Sequence, residues 1–317
     1  MVNRGNPDLW KKDIARSVDM YNAWFIEFAP EAFRNTRIKT TEAVEQTLAA
    51  TENLTNIKTK ILKSNPAVLP TLRMSTCPPL AVDRLIGLAG VSQNLVHKME
   101  EGKLPPRMKP AALESNLEQI SQIIERMADP DIFVWISKKT KPSAPEIYRA
   151  ATIVADRLCG SVANPIIRNA QEKRQLAAIA TWLKARGYEK LPLGNGTKFD
   201  VMPPGTFSFR LNVPVRLEGN KNINIPIDTV VMPKTAQKGD LPLFIEAKSA
   251  GDFTNVNKRR KEEATKINQL IGTYGEKVRF VLFLCGYFDT GYLGYEAGEG
   301  IDWVWEHRID DLAGFGL

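Results

Sequence analysis

The chain is short of the parts that several common chemistries need. Its 317 residues include two histidines, His97 and His307, and three cysteines, Cys77, Cys159 and Cys285. A Ser-His-Asp triad or a zinc centre therefore has few candidate members, and no Cys-x-x-Cys spacing of the metal-binding kind occurs. Three cysteines, odd in number and far apart, read as reduced thiols of a cytoplasmic protein. No run approaches the roughly 18 apolar residues of a membrane span, so no membrane partner is expected. The opening MVNRGNPDLWKKD holds no apolar signal core. Internal repeats, low-complexity tracts and the Gly-x4-Gly-Lys-Ser/Thr phosphate loop are absent.

What is present is a globular composition, 43% hydrophobic and 25% charged, with a net charge of +7. The length allows a sizeable core and suggests two domains. A modest basic excess is compatible with a nucleic-acid partner without requiring one.

Residues 1–165 read as a mainly helical domain. Ile14, Val18, Tyr21, Phe25 and Phe28 recur at helical spacing until Pro30 interrupts them. A second helix is expected from Thr40 or Thr41, and another from Pro110 to just before Pro130. Ile132 to Ile136 fits a short strand or a buried helical turn. Within 80–103, one helix meets Gly90 and a second, capped by the Ser92 hydroxyl, ends at Gly102. This segment resembles the helix-turn-helix of phage-repressor-type regulators, which would set Ser92, Gln93, Asn94 and Lys98 near base edges. The alternative is a plain helical hairpin with Leu95, Val96 and Met99 in a core.

Residues 166–317 read as an α/β domain. A helix from Arg168 to Arg186, separated from the preceding one by breaks near Gly160 and Pro165, ends at Gly187. TFSFRLNV alternates as a strand should, with Phe207, Phe209 and Leu211 on one face. NINIPIDTVVM and LPLFIEAKS follow. Then come a helix over about 257–273, the apolar strand VRFVLFLCGYF, and a last strand over 302–307. The fold class is α/β, a mixed β-sheet flanked by helices, with a large N-terminal helical region.

The chemistry concentrates between Pro226 and Arg260. Glu246 and Lys248 are two apart on a strand and share a face. If the two apolar runs pair as a hairpin, Asp228 approaches that face. Two carboxylates and an ammonium then surround one point at a sheet edge. Such a site suits Mg2+, a hard cation that takes oxygen ligands and acts on phosphate. Asp228 and Glu246 would be ligands, with the Ala247 carbonyl as a third oxygen and Glu172 as a further acid. Lys248 would orient or deprotonate water, or stabilise phosphate charge. Its pKa falls only if desolvation outweighs the nearby carboxylates. Lys258, Arg259, Arg260 and Lys261 open a helix, where four cations oppose the helix dipole and a phosphate would offset that cost. Arg210, Arg216, Lys221 and Asn222 lie beside the same site in sequence and are candidates for groove contacts.

Pro226-Ile227-Asp228 with Glu246-Ala247-Lys248 resembles the PD-(D/E)XK nuclease superfamily. Within it, EAKSAGDFTNVNKRRKEE, LFLCGYFDTGYLGYEAGEGIDWVWEHR and PPLAVDRLIGLAGVSQNLVHKMEEGKLP are similar to type II restriction endonucleases of the XamI family. The resemblance implies a restriction-endonuclease-like core at 166–317 and Mg2+-dependent cutting of double-stranded DNA at a short palindrome. It also implies a homodimer and a companion DNA methyltransferase acting on the same site. Two other functions remain open on sequence grounds. One is a DNA-binding regulator that uses 80–103 beside an inactive nuclease-like core. The other is a less specific repair or RNA nuclease of the same superfamily.

Overall fold

The computed structural model describes residues 2–192, 198–217, 221–254 and 256–317, with the backbone alone for 256–260. The chain forms two compact units, Met1–Phe28 together with Arg168–Leu317, and Ala29–Ile167. The expected division at 165 placed the whole N-terminus in the helical part. Instead the chain up to Phe28 groups with the C-terminal unit. Asp302 explains part of this, because its buried carboxylate accepts the N–H groups of Val2, Asn3 and Arg4. Trp10 adds an edge-on contact to Trp303 at 5.3 Å between ring centres.

Two sequence expectations about helix breaks do not hold. Helix α1 (Pro7–Ala50) runs through Pro30, and Thr40 lies inside it, its hydroxyl donating back to the Arg37 carbonyl. A proline inside a helix frees the carbonyl four residues earlier. Pro30 is exposed, so water can take that carbonyl.

The unit Ala29–Ile167 carries α2 (Thr59–Ser64), α3 (Leu69–Met74), α4 (Val82–Ala89), α5 (Gln93–Glu100), α6 (Pro110–Met127) and α7 (Val134–Lys138), with parts of the long helices. It packs around one apolar core that includes Leu85, Leu95, Val96, Met99, Leu117, Ile120 and Trp135. Residues Ile132–Ile136 resolve to the start of α7, a helical turn. Helix α4 ends at Gly90 with φ of 63°, a left-handed cap that favours glycine. Ser92 precedes α5, but its hydroxyl makes no capping bond. Its N–H donates to Asn116 Oδ1 at 2.9 Å instead, so a neighbouring helix fixes the turn.

The second long helix, α8 (Ala144–Ala185), continues through Gly160 and the exposed Pro165 for the same reason as α1. Its last part opens the other unit. There a six-stranded mixed sheet runs in the order β1 (Glu189–Lys190), β2 (Thr206–Arg216), β3 (Asn222–Met232), β4 (Leu243–Ala250), β5 (Arg279–Gly286) and β6 (Asp302–Trp305). β3 runs antiparallel to both of its neighbours, β2 and β4, and β4, β5 and β6 are parallel. Alternate residues of β5 enter two core layers, Val281 and Phe283 one of them, Leu282 and Leu284 the other. Leu176, Ile179 and Leu183 of α8 cover the first layer. Ile267 and Leu270 of α9 (Val256–Tyr274), with Tyr292 and Leu293 of α10 (Thr290–Gly298), cover the second.

Two details of the sheet correct the sequence expectation. The motif strands β3 and β4 are its third and fourth strands, not an edge. They pair from Val231–Leu243 to Thr229–Ile245 and then part. In β2, Phe207 and Phe209 enter one core layer while Leu211 enters the other. Arg210 lies between them with φ of +52°, a left-handed residue that switches the side-chain alternation.

Asp302 tests the N-terminal docking. Asp302→Ala leaves backbone donors of residues 2–4 without their acceptor, at a cost of about 2–4 kcal/mol. The check is the urea midpoint of the variant against the unaltered chain.

Candidate active site

The site forms where β3 and β4 separate. One step beyond the Thr229–Ile245 pair stand Asp228 and Glu246. Alternation puts Glu246 and Lys248 on the side of Phe244, the side that α9 covers. Asp228 bridges the widening gap, its Oδ2 accepting the Ala247 N–H at 2.9 Å. The N–H and C=O of one strand residue point the same way. The Ala247 carbonyl therefore faces the gap as well. Asp228, Glu246, Ala247 and Glu172, the four residues expected to offer oxygen donors, all line one cleft.

Helix α9 completes the charge arrangement. Lys248 Nζ lies 3.1 Å from Glu246 Oε1 and 3.8 Å from Glu263 Oε1. Lys266 Nζ lies 2.6 Å from Glu246 Oε1 and donates to the Pro226 carbonyl at 3.0 Å. The Tyr292 hydroxyl of α10 donates to Glu263 Oε2 at 2.6 Å. Glu246 is 4% exposed, and its Oε2 has no hydrogen-bond partner.

Burial, and then the charge of Glu246, push the Asp228 carboxyl up to about 6, against the pull of the Ala247 N–H and the two lysines. Desolvation alone would lower Lys248. Glu246, Glu263 and Asp228 together outweigh it, so Lys248 rests above the ordinary lysine value. At neutral pH it is an ammonium. Burial raises Glu263 too, despite the opposing help of Lys248 and Tyr292.

The cleft at this point has a volume of about 320 Å³, with Gln171, Glu172 and Gln175 of α8 forming one wall. Gln175 Nε2 donates to the carbonyls of Lys248 and Phe283, which ties α8 to the β4–β5 pair. Glu172 stands on this wall, but its Oε1 accepts from Arg210 Nη2 at 2.5 Å and Nε at 3.2 Å. Among the described residues, no three His, Cys, Asp or Glu side chains converge as a metal cluster. The donors that fit a cation are two carboxylates and a main-chain carbonyl, all oxygen. They include a buried carboxylate oxygen without a partner, and suit a hard ion such as Mg2+.

Comparison with known proteins shows the family. The model of the XamI restriction endonuclease family matches residues 52–305. The chain belongs to the XamI restriction endonuclease family. It is also 52% identical over 316 residues to a protein described as type II restriction enzyme SalI, from Streptomyces albus G, with 100% of both chains covered. No solved structure matches it. A member of this family is a type II site-specific deoxyribonuclease, which hydrolyses phosphodiester bonds in double-stranded DNA as part of a restriction-modification system. Membership displaces the two alternatives, a regulator with an inactive core and a less specific nuclease.

The remaining expected site residues fall in different places. Lys258, Arg259 and Arg260 lie on the first turns of α9, but their side chains are outside the described residues, while Lys261 is exposed. In the other unit, Gln93 and Asn94 are exposed, Ser92 is half-buried and Lys98 pairs with Glu101 at 2.7 Å. Leu95, Val96 and Met99 of the same helix are buried. The sequence argument missed Lys266, Gln171, Gln175 and Glu263. Glu263 had a signal. It shares a helical stripe with the buried Ile267 and Leu270, where a carboxylate needs a partner.

The raised Asp228 carboxyl makes stability depend on pH. The folded chain holds this proton up to about 6, whereas the ordinary value is 3.8. The stabilisation is therefore complete below pH 3.8 and is lost as pH rises through 6. Asp228→Asn keeps an acceptor for the Ala247 N–H without the charge. At pH 7.5 it should be about 1–3 kcal/mol more stable than the unaltered chain, with the difference vanishing near pH 4. Chemical denaturation across that range checks it.

Proposed function

We propose that Asp228, Glu246 and the Ala247 carbonyl hold Mg2+ for DNA cleavage, and that Lys248 acts as a charged donor at the scissile phosphate. The observation that carries this is the parting of β3 and β4, which sets two carboxylates and an ammonium around one open gap. The bound cation supplies charge stabilisation at the phosphoryl oxygens. Asp228 and Glu246 fix its place from two strands. Lys248 stays protonated among three carboxylates, so it donates to the attacking water or to the phosphate and does not take a proton. Lys266 and Glu263 hold Glu246 and Lys248 in position from α9.

The recognised DNA is a short palindrome, read by a homodimer whose two-fold axis matches that of the site. A companion methyltransferase acting on the same sequence protects host DNA, and the enzyme works in the cytoplasm. The exposed Lys261, with Lys258, Arg259 and Arg260 beside it in sequence, supports backbone contact near the cut. Exposed Gln93 and Asn94 at the start of α5 support a second DNA-facing surface, with Ser92 and Lys98 at its border.

Purified protein with plasmid and Mg2+ should give discrete bands, and a chelator should abolish them. Sequencing the fragment ends reads out the site. Asp228→Ala and Lys248→Ala should each lower the cutting rate about 10³-fold or more, while Ca2+-supported DNA binding persists. Normal cutting by either variant would remove these residues from the site.

A further inference from the structure

Arg210 combines three features that the active site as described does not use. Among the described non-glycine residues with positive φ, it alone lies in a strand, at φ +52°. The β2–β3 register passes from Phe209–Thr229 to Leu211–Ile227, so Arg210 is the residue across from Asp228. Its side chain is 53% exposed, and its guanidinium rests through two N–H groups on one oxygen of Glu172, which lines the active-site cleft.

The ion pair does not account for the backbone. A left-handed conformation costs an arginine about as much as an exposed ion pair returns, or more. Strain of this kind persists where the surroundings impose it, and it clusters at functional positions. Its effect here is specific. It turns β2 over between Phe209 and Leu211, so that Arg210 leaves the core alternation, and its guanidinium reaches Glu172 on the cleft wall. A guanidinium presents paired donors that match two phosphate oxygens, whereas it meets only one oxygen of Glu172.

We propose that Arg210 contacts a backbone phosphate of the bound DNA next to the cut, and that Glu172 holds it at the cleft until DNA arrives. Glu172 is then the resting partner of an arginine and not a ligand of the cation. This rests on the active-site assignment above, but its test does not depend on cleavage.

DNA binding is measured in Ca2+ on a synthetic duplex centred on the mapped cut, over a range of salt concentrations. Arg210→Gly accepts the left-handed backbone, and Arg210→Asn also tolerates it. For both, the slope of log affinity against log salt should fall by about one, with affinity about tenfold lower near 0.1 M salt. Melting temperatures should stay within about 3 °C of the unaltered chain. Arg210→Lys should keep the slope. Glu172→Gln should bind DNA several-fold more tightly at an unchanged slope, and should leave calorimetric Mg2+ binding unchanged. An unchanged salt slope in both the Gly and Asn variants overturns the proposal. So does weakened Mg2+ binding by Glu172→Gln, which would make Glu172 a metal ligand. Failure of the active-site assignment shows separately, as normal cutting by Asp228→Ala.

Discussion

Two strands that pair and then part create the proposed active centre of this protein. Over three residue pairs β3 and β4 form an ordinary antiparallel ladder, and beyond Thr229 and Ile245 they separate. Each residue past that point carries polar main-chain groups that need partners in a poorly solvated place. Asp228 satisfies one of them through the Ala247 N–H, and the Ala247 carbonyl is left facing the gap. β4 stays paired with β5 along its whole length, so the separation does not unravel the sheet.

Collecting like charges beside this gap is costly, and the surroundings show how it is met. Glu246, Glu263 and Asp228 lie close together in a place where burial already disfavours ionisation. Two lysines from different elements, Lys248 and Lys266, converge on one oxygen of Glu246. The other oxygen is buried and has no hydrogen-bond partner. The balance is incomplete in the direction that favours a cation. It also leaves Asp228 with a carboxyl raised to about 6, at the expense of stability at neutral pH.

The helical unit and the N-terminus show what local sequence misjudges. Pro30 and Pro165 looked like breaks because the proline ring removes a helical hydrogen bond. Both are exposed, and both helices continue. Ser92 looked like a hydroxyl cap, yet Asn116 from α6 fixes that turn. Phe207, Phe209 and Leu211 looked like one face until a single left-handed residue divided them. In each case a contact or backbone twist set elsewhere overrode a preference that is correct for an isolated segment.

Spacing alone determined much of the centre. Glu246 and Lys248 share a face because strands alternate with period two. Asp228 could join them because two apolar strands separated by a short polar turn form a hairpin. The order of strands and helices, and the sequence similarity to the XamI family, also follow from the chain itself. Tertiary structure alone decided the rest. It placed the motif inside the sheet, brought Glu263 and Lys266 across from α9, and turned Glu172 toward Arg210. Its packing also keeps Lys248 charged. These outcomes depend on burial and on distances between elements far apart in the chain, and neither is encoded in residue spacing.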